Sequence, residues 1–359
     1  MRALLISNPH STTHSSGGLD EIVRALRSVS GLSLRAQFTA YPGHAREMVR
    51  GLRRKDFDYI VSIGGDGTVN EIIDGLLDGD PFSAPAPEQL PVVCIVPTGG
   101  ANVLAGSLGI PRDARSAAWY LADAVRRGQS TTISVGRAGD RCFVVNTGVG
   151  IDGAVIAIME GMRSGGASAT ALGYLPAIYR AWQDLLRNPP RISVTVDGTV
   201  LGTDLPVAIV SNANPWTYFG DIPVTTNPGL SRHFGLGVYA LTSFKGLTGL
   251  VTAANLAGGL LPLRGIFQVA QRELRVDNAT QVQLRSDRPL HFQIDGEYVD
   301  RRNEVEVSVC AEGIRVTVLS DEATLERQQR LILAAPFPQR MFLMWRQRVR
   351  ARRHRGHSG

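Results

Sequence analysis

The sequence predicts an α/β domain with a parallel sheet, followed by a β-sandwich domain. The 359 residues exceed what one ordinary hydrophobic core holds, and 43% of them are hydrophobic. Up to residue 131, short apolar runs alternate with helical patterns, which is typical of a parallel sheet covered by helices. From residue 132 to 320, runs of β-branched residues alternate with Gly, Asp and Asn turns, and this texture favours a β-sandwich.

Strands and helices are predicted to alternate in the first domain. Strands are expected at 3–6, 32–39, 59–63 and 92–96, and helices at 19–29, 43–54, 70–77 and 102–108. A proline-rich insert at 81–91 is expected to form a surface loop. Because ligands of such sheets bind beyond the carboxyl ends of the strands, the loops that follow the strands form the candidate site.

The second domain is predicted to consist mainly of strands, with one amphipathic helix at 174–186. After it, the segment 321–359 is expected to be helical, to return to the first domain and to end in a basic tail. The strands are expected at 132–137, 141–146, 191–196, 205–211, 237–241, 273–276, 281–285, 291–294, 304–309 and 313–319.

The most informative motif is the run from Gly64 to Glu71, which lies between an apolar strand and a helix. Glycines permit a sharp turn, and the N–H groups of a helix N-terminus point at any anion placed there. Because bare phosphate repels a carboxylate, Asp66 is predicted to organise Mg²⁺ around a nucleotide polyphosphate or to accept a proton from a substrate hydroxyl. The alternative is a helix-capping turn with an incidental Asp.

Two other turns are expected at the same edge of the sheet. The segment 97–102 is a second glycine-containing turn between a strand and a helix, and 7–14 offers hydroxyls and amides after the first strand, although alone it is more often a capped loop. The only lysines are Lys55 and Lys245, which excludes a Walker-type P-loop. Phosphate is therefore expected to be bound by backbone amides, arginine and metal.

Two later motifs carry a weaker signal. The run 148–153 satisfies the dinucleotide pattern GxGxxG, but it lacks the acidic residue expected about 20 residues on, and the β-rich half begins there. Asp295-Gly296-Glu297 joins two strands as a tight hairpin, and an exposed turn is its simplest interpretation. If the second domain closes over the cleft, these carboxylates are expected to face Asp66, where a kinase needs a group that takes the hydroxyl proton.

The formal net charge is +6, and the excess is concentrated among apolar residues at the end of the chain. Such a tail fits an anionic membrane surface, while a solvated tail or a weak nucleic-acid patch is an equal alternative.

The three cysteines lack metal-ligand spacing and are expected to be buried thiols in a reducing compartment. With no signal-peptide pattern and no run of about 20 apolar residues, we expect a cytoplasmic protein that is at most peripheral at the inner face of the membrane.

Together these motifs resemble the diacylglycerol kinase catalytic domain family, which includes bacterial lipid kinases, sphingosine kinases and ceramide kinases. The resemblance runs through most of residues 1–320. It covers a first nucleotide loop at 8–9, the signature at 64–71, a second glycine loop at 97–102, an Asn…Gly-x-Asp segment at 146–152 and a late acidic motif at 295–297.

The resemblance implies a first domain that is similar to NAD kinase and phosphofructokinase and binds ATP with Mg²⁺, and a β-sandwich that helps to accept a lipid. The implied reaction transfers the γ-phosphate to the hydroxyl of diacylglycerol or a related lipid, with Glu297, supported by Asp295, as proton acceptor and Asp66 as the carboxylate that organises Mg²⁺. The residues implied in nucleotide binding are Asn8, Pro9, His10, Ser11, Thr12, Thr39, Gly64, Gly65, Asp66, Gly67, Thr68, Asn70, Glu71, Thr98, Gly99, Gly100 and Asn102.

Two rival functions stay open: NAD kinase-like phosphorylation of a soluble substrate, and non-catalytic nucleotide or lipid binding. The expected partners are a lipid substrate and an anionic membrane surface, and not nucleic acid, while a homodimer stays open.

The sequence departs from the family pattern at an aspartate-rich turn that binds structural Mg²⁺ in many bacterial members. The corresponding segment 230–237 has no carboxylate. We expect that accessory site to be absent, and Mg²⁺ to arrive with ATP near Asp66.

Overall fold

The structure, a computed structural model, describes residues 1–9, 16–150, 183, 187–219, 222–243 and 272–319. The chain divides into two compact units: unit 1 comprises residues 1–133 and those from 312 onward, and unit 2 comprises residues 134–311. The predictions for the loop residues 10–15 and for the tail 321–359 fall outside the described residues, as does most of the predicted helix 174–186.

Unit 1 contains a parallel sheet, as predicted. The strands β1 (Arg2–Ser7), β2 (Ser33–Phe38), β3 (Tyr59–Gly64) and β4 (Val92–Pro97) lie in the order β4-β3-β1-β2, and each neighbouring pair is parallel. The central strands β1, β3 and β4 are almost entirely buried, which is why they appear in the sequence as continuous apolar runs.

Five helices accompany this sheet in the described part of unit 1. They are α1 (Ser16–Arg27), α2 (His44–Val49), α3 (Asp66–Leu76), α4 (Val103–Ser107) and α5 (Ala114–Arg127), and a 3₁₀ turn (Pro87–Gln89) lies in the proline-rich insert.

The helices differ most from the prediction at the start of α3, at the end of α2 and at the additional helix α5. Helix α3 begins at Asp66, four residues earlier than expected, so most of the glycine motif is the first turn of the helix. Helix α2 ends at Val49 because the chain turns through extended Arg50 and left-handed Gly51. Helix α5 was not predicted, although its signals are present: Asp113 caps its N-terminus and Gly128 its C-terminus.

The described residues of unit 2 lie mainly in strands, as predicted. The strands from residue 130 onward are β5 (Ser130–Ala138), β6 (Arg141–Phe143), β7 (Asn146–Gly150), β8 (Ile192–Val196), β9 (Thr199–Leu205), β10 (Val207–Ser211), β11 (Thr217–Phe219), β12 (Ile222–Val224), β13 (Leu236–Leu241), β14 (Glu273–Ala279), β15 (Gln281–Ile294) and β16 (Glu297–Thr317). Strand β16 begins in unit 2, and its last residues belong to unit 1, where Val316 pairs in parallel with Val93 of β4.

The long strand β15 joins the two layers of the sandwich. Its first half pairs with β8, which continues to β9, and its last residues pair with β7, which continues to β10, β13 and β14. Irregularities at Arg285/Leu290 and Phe292/Gln293 let the strand change direction between these neighbours. Both layers contribute to one core, for example Val194 and Val210. The predicted fold class is therefore confirmed, with 281–285 and 291–294 forming one strand.

Candidate nucleotide and acceptor sites

Four loops of unit 1 lie at the carboxyl edge of the parallel sheet. Backbone hydrogen bonds fix their neighbours: Thr98 donates to the carbonyl of Gly64 at 2.9 Å, and Asn8 donates to that of Ile63 at 3.1 Å. The amide of Thr39 donates to the carbonyl of Ser7 at 3.0 Å. The loops after β4, β3, β1 and β2 therefore follow one another along one edge, which is where α/β sheets bind their ligands.

The N-terminus of α3 supplies backbone donors at this edge. Its first intrahelical bond runs from the Val69 amide to the Gly65 carbonyl at 3.2 Å, so the helix geometry gives the three preceding amides no acceptor within the helix. Gly64 permits a close turn, because a Cβ there would lie 2.4 Å from Oγ1 of Thr68. Amides arranged in this way, together with the helix dipole, favour a bound anion.

The two glycine loops are in direct contact. A Cβ on Gly99 would lie 2.7 Å from Cα of Gly65, so a side chain at either position would press on the backbone of the other. Asn102 closes the second loop from inside, because its Oδ1 accepts the Gly99 amide at 3.1 Å and its Nδ2 donates to the Gly99 carbonyl at 2.7 Å. Asn102 is buried and has a left-handed backbone, which asparagine tolerates well.

Asp66 links the first glycine loop to helix α4. Its Oδ2 accepts the Val103 amide at 2.9 Å, and its Oδ1 accepts the Leu104 amide at 3.1 Å. Burial raises the pKa of Asp66, while these two amides and the nearby Arg112 act in the opposite direction without cancelling the rise. Both carboxylate oxygens therefore already have donors within unit 1, and the predicted metal and proton-transfer roles of Asp66 stay predictions.

Glu71 has a comparable structural contact with helix α2. Its two oxygens accept the amides of Gly43 at 2.7 Å and of Ala45 at 3.1 Å, so it holds the N-terminal turn of α2 against α3. One turn further along α3, the buried carboxylate of Asp74 pairs with Arg46 at 2.6 Å. The predicted nucleotide contact of Glu71 stays a prediction, and its carboxylate positions the turn that follows Thr39.

Sequence analysis missed one cation beside the second glycine loop. The guanidinium of Arg112 donates to the carbonyl of Ala101 at 2.8 Å, and its charge partly opposes the burial that raises the pKa of Asp66. The signal was available, since a chain with two lysines leaves phosphate charge to arginine, and Arg112 closely follows the second loop.

The remaining predicted nucleotide residues fall into three groups. Thr98 and Asn70 are buried at the sheet edge and in α3, respectively. Gly100 has open space around its Cα, and Pro9 is exposed. Three loop residues lie outside the described residues: His10, Ser11 and Thr12.

In unit 2, Asp295 anchors the acidic hairpin. Its carboxylate accepts three backbone amides, from Val144, Val145 and Asn146, at 2.8, 2.8 and 3.0 Å. Asp295 is buried, and both Asp295 and Gly296 have positive φ, as the tight Asp-Gly hairpin predicted from the sequence requires. This carboxylate therefore holds the turn in place from inside, while Gly296 is exposed, as the tripeptide alone suggested.

A buried amide network supports the same hairpin. Nε2 of Gln293 donates to Oδ1 of Asn146 at 2.6 Å, and Oε1 of Gln293 accepts the Gly296 amide at 2.9 Å. Asn146 in turn donates to the carbonyl of Trp216 at 2.9 Å. Of the run 148–153 that satisfied the dinucleotide pattern, residues 148–150 lie in strand β7, which pairs on both sides with antiparallel neighbours, and residues 151–153 lie outside the described residues.

Glu297 differs from Asp295 in its exposure. Its side chain is 42% exposed, and its Oε2 lies 3.4 Å from the guanidinium of Arg141. It begins β16 directly after the anchored turn, opposite Ile294. The turn therefore presents a carboxylate at the surface of unit 2 on a rigid support, while Asp295 stays inside.

The segment that replaces the aspartate-rich turn is held by side chains of β14. The Gly229 amide donates to Asp277 at 3.1 Å, and the Ser231 amide donates to Oδ1 of Asn278 at 2.8 Å. Asn227, which is buried, also donates to Asp277 at 2.8 Å. These contacts fasten the loop from within the protein.

Parallel strands that end in touching glycine loops, followed by a β-rich unit, identify the fold class as an α/β domain with a second, β-rich unit. Residues 2–138 match the sequence model of the diacylglycerol kinase catalytic domain, which confirms the resemblance to that family for this part of the chain.

Two relatives and one solved structure are similar to this chain, and the solved structure shows the fold alone. A diacylglycerol kinase of Bacillus subtilis is 25% identical over 75% of this chain and 80% of its own length. A protein of Chromohalobacter salexigens named "probable lipid kinase YegS-like" is 32% identical over 48% of this chain and 55% of its own length. The crystal structure of a diacylglycerol kinase from Bacillus anthracis is similar in fold, with a TM-score of 0.62 and 19% identity over 89% of this chain and 97% of the other.

Proposed function

We propose that this protein is an ATP-dependent lipid kinase that transfers the γ-phosphate to the hydroxyl of diacylglycerol or a related lipid. The observation that supports it best is the pair of touching glycine loops beside the α3 amides, within a domain of the diacylglycerol kinase family. Similarity to a diacylglycerol kinase over most of both chains favours a glycerolipid acceptor.

The phosphates of ATP are expected to accept hydrogen bonds from the first-turn amides of α3. This arrangement needs no lysine, because oriented amides and the helix dipole stabilise negative charge, and Arg112 adds a cation beside the second loop. Positioning and charge stabilisation of this kind supply most of the catalysis of phosphoryl transfer.

Mg²⁺ is expected to enter with ATP rather than to occupy a site built by the protein. Within the described residues, no group of three His, Cys, Asp or Glu side chains could hold a metal ion, and both oxygens of Asp66 accept amides. When bound to ATP, the ion neutralises phosphate charge.

Glu297 is the proposed acceptor of the lipid hydroxyl proton. Its partial exposure makes it accessible to a substrate, and Asp295 fixes the turn that carries it. The proton passes from the hydroxyl to the carboxylate as the hydroxyl oxygen bonds to the γ-phosphorus and ADP leaves.

A peripheral contact with the membrane is proposed for substrate access, because diacylglycerol resides in the bilayer. Among the described residues, no helix is both long and apolar enough to cross a membrane. The basic, apolar tail is the proposed docking element, on the basis of its composition.

The test is transfer of radiolabelled phosphate from Mg·ATP to diacylglycerol in mixed vesicles, with NAD and a total lipid extract as parallel acceptors. Glu297→Gln is expected to reduce transfer by about a hundredfold or more, the usual contribution of a general base. The matched control is Glu304→Gln, because Glu304 also lies on β16 and pairs with an arginine, Arg285, at 2.9 Å. Transfer to NAD alone, or ATP binding without transfer to any acceptor, would contradict the proposal.

A further inference from the structure

The carboxylate of Asp66 is shared between two structural elements of the proposed nucleotide site. Asp66 is the first residue of α3, and both of its oxygens accept backbone amides at the start of α4, from Val103 and Leu104. Helix α4 directly follows the second glycine loop. The Asp66 side chain therefore links the end of the first glycine loop, where α3 begins, to the end of the second glycine loop, where α4 begins.

The second glycine loop has little freedom once this tie is made. At one end, the Thr98 amide is bonded to Gly64, and in the middle Gly99 touches Gly65. At the other end, Asn102 closes the loop on Gly99 and is followed at once by the two amides that bond to Asp66. Each contact fixes backbone, so a shift of α4 would be transmitted to Thr98, Gly99 and Gly100.

We propose that Asp66 acts as a positioning residue, whose carboxylate holds α4 and thereby fixes the second glycine loop against the α3 amides, rather than as a metal ligand or base. This inference rests on the proposed function. The raised pKa of Asp66, caused mainly by burial, agrees with a carboxylate that is desolvated by protein.

The two roles predict opposite effects on the binding of ATP without metal. If Asp66 faced the phosphates to hold Mg²⁺, removal of its charge would relieve repulsion and strengthen the binding of metal-free ATP. If Asp66 positions the loops, the same substitution weakens binding with and without metal, because the phosphate donors lose their arrangement.

The variant that separates these outcomes is Asp66→Asn, which keeps one acceptor oxygen and removes the charge. The matched control is Asp197→Asn, because the Asp197 carboxylate also accepts two backbone amides, from Thr280 and Gln281 at 3.0 and 2.8 Å, but lies in a turn of unit 2. Binding of ATP would be measured by calorimetry in EDTA and at saturating Mg²⁺, on the full chain.

For Asp66→Asn, we expect metal-free ATP to bind about five- to tenfold more weakly, with an unchanged concentration of Mg²⁺ for half-maximal activity. That factor corresponds to about 1–1.4 kcal/mol, close to the loss of one charge-assisted hydrogen bond. The control is expected to bind ATP as the wild type does. Tighter binding of metal-free ATP by Asp66→Asn, with an increased Mg²⁺ requirement, would overturn the proposal.

Amide hydrogen exchange provides a readout that does not depend on ATP. The amides of Val103 and Leu104 are expected to exchange about tenfold faster in Asp66→Asn, because their hydrogen bonds to the side chain of residue 66 are weakened. Unchanged exchange at both amides would also overturn the positioning role. If the wild type bound no ATP but exchange at these amides still increased in Asp66→Asn, the proposed function would be wrong, while the contact between Asp66 and α4 would be confirmed.

Discussion

Three of the four carboxylates in these motifs accept backbone amides, and the fourth, Glu297, has the more exposed side chain of the two in the hairpin. Asp66, Glu71 and Asp295 each bind two or more amides, whereas Glu297 is 42% exposed beside Arg141. All four carboxylates were recognised in the sequence as parts of their motifs. Residue type alone does not show which donors will form hydrogen bonds to a carboxylate. The side chain of Asp66 accepts amides at the start of α4, and no side-chain bond caps α3, the helix that Asp66 begins.

Replacing Asp295 is expected to lower stability more than replacing Glu297. Asp295→Asn leaves buried amides of Val144 to Asn146 without full acceptors, and we expect a loss of about 2–4 kcal/mol in the free energy of unfolding. Glu297→Gln, at a half-exposed site, is expected to lose less than about 1 kcal/mol. Urea unfolding of both variants checks this, and equal losses would contradict the division of roles.

Asp197 gives a prediction for stability in acid. Burial alone would raise the pKa of Asp197, but hydrogen bonds from the Thr280 hydroxyl and from the Gln281 and Thr280 amides outweigh it and lower the pKa. A carboxyl with a lowered native pKa stabilises the fold above its unfolded pKa, and this contribution is lost as the pH falls through the native pKa. The stability difference between wild type and Asp197→Asn is therefore expected at neutral pH and should shrink below about pH 4.

Thermal unfolding at several pH values measures that difference. Asp197→Asn has no ionisable carboxyl at this position, so its melting temperature should fall less steeply with decreasing pH than that of the wild type. A gap between the two proteins that widened as the pH fell would have the wrong sign and would refute the assignment.

At the scale of elements, the parallel sheet and most of its helices were predictable because their apolar patterns are local. Helix α3 was placed four residues late because its first turn contains glycines, whose low helix propensity hides a turn that is fixed by the Asp66 contacts. Strand β15 was read as two strands because residues 286–290 interrupt the apolar alternation, although bulges carry the strand through. These features depend on tertiary contacts, which periodicity does not contain.

The contact between the glycine loops predicts unequal effects of two neighbouring substitutions. Gly99→Ala places a Cβ 2.7 Å from Cα of Gly65 and 3.0 Å from Oδ1 of Asn102, so backbone must move, and we expect a loss of about 1–3 kcal/mol in unfolding free energy. Gly100→Ala meets nothing within 4 Å and should leave the melting temperature unchanged or slightly higher. Equal melting temperatures for the two variants would show that the loops can separate without cost.

At the scale of the whole molecule, formal charge separates the terminal segment from the rest of the chain. Residues 336–359 carry seven arginines and no acidic residue, so they account for more than the net charge of +6, and the remaining chain is close to neutral. This asymmetry is a property of composition and was readable from the sequence, whereas the division of β16 between two units was not. Because the positive charge is concentrated in residues 336–359, we expect this segment to supply most of the electrostatic attraction to an anionic surface.

Deletion of 336–359 is expected to weaken binding to anionic vesicles by at least tenfold at low salt. Each arginine near such a surface contributes about 1 kcal/mol, and the attraction is screened at high salt, so the difference should shrink as ionic strength rises. Sedimentation with vesicles that contain phosphatidylserine measures it, with neutral phosphatidylcholine vesicles as the control. The truncated protein is expected to retain activity on a short-chain, soluble diacylglycerol, since the glycine loops and Glu297 lie outside the deletion. Unchanged sedimentation would contradict the proposal that the tail binds the membrane surface.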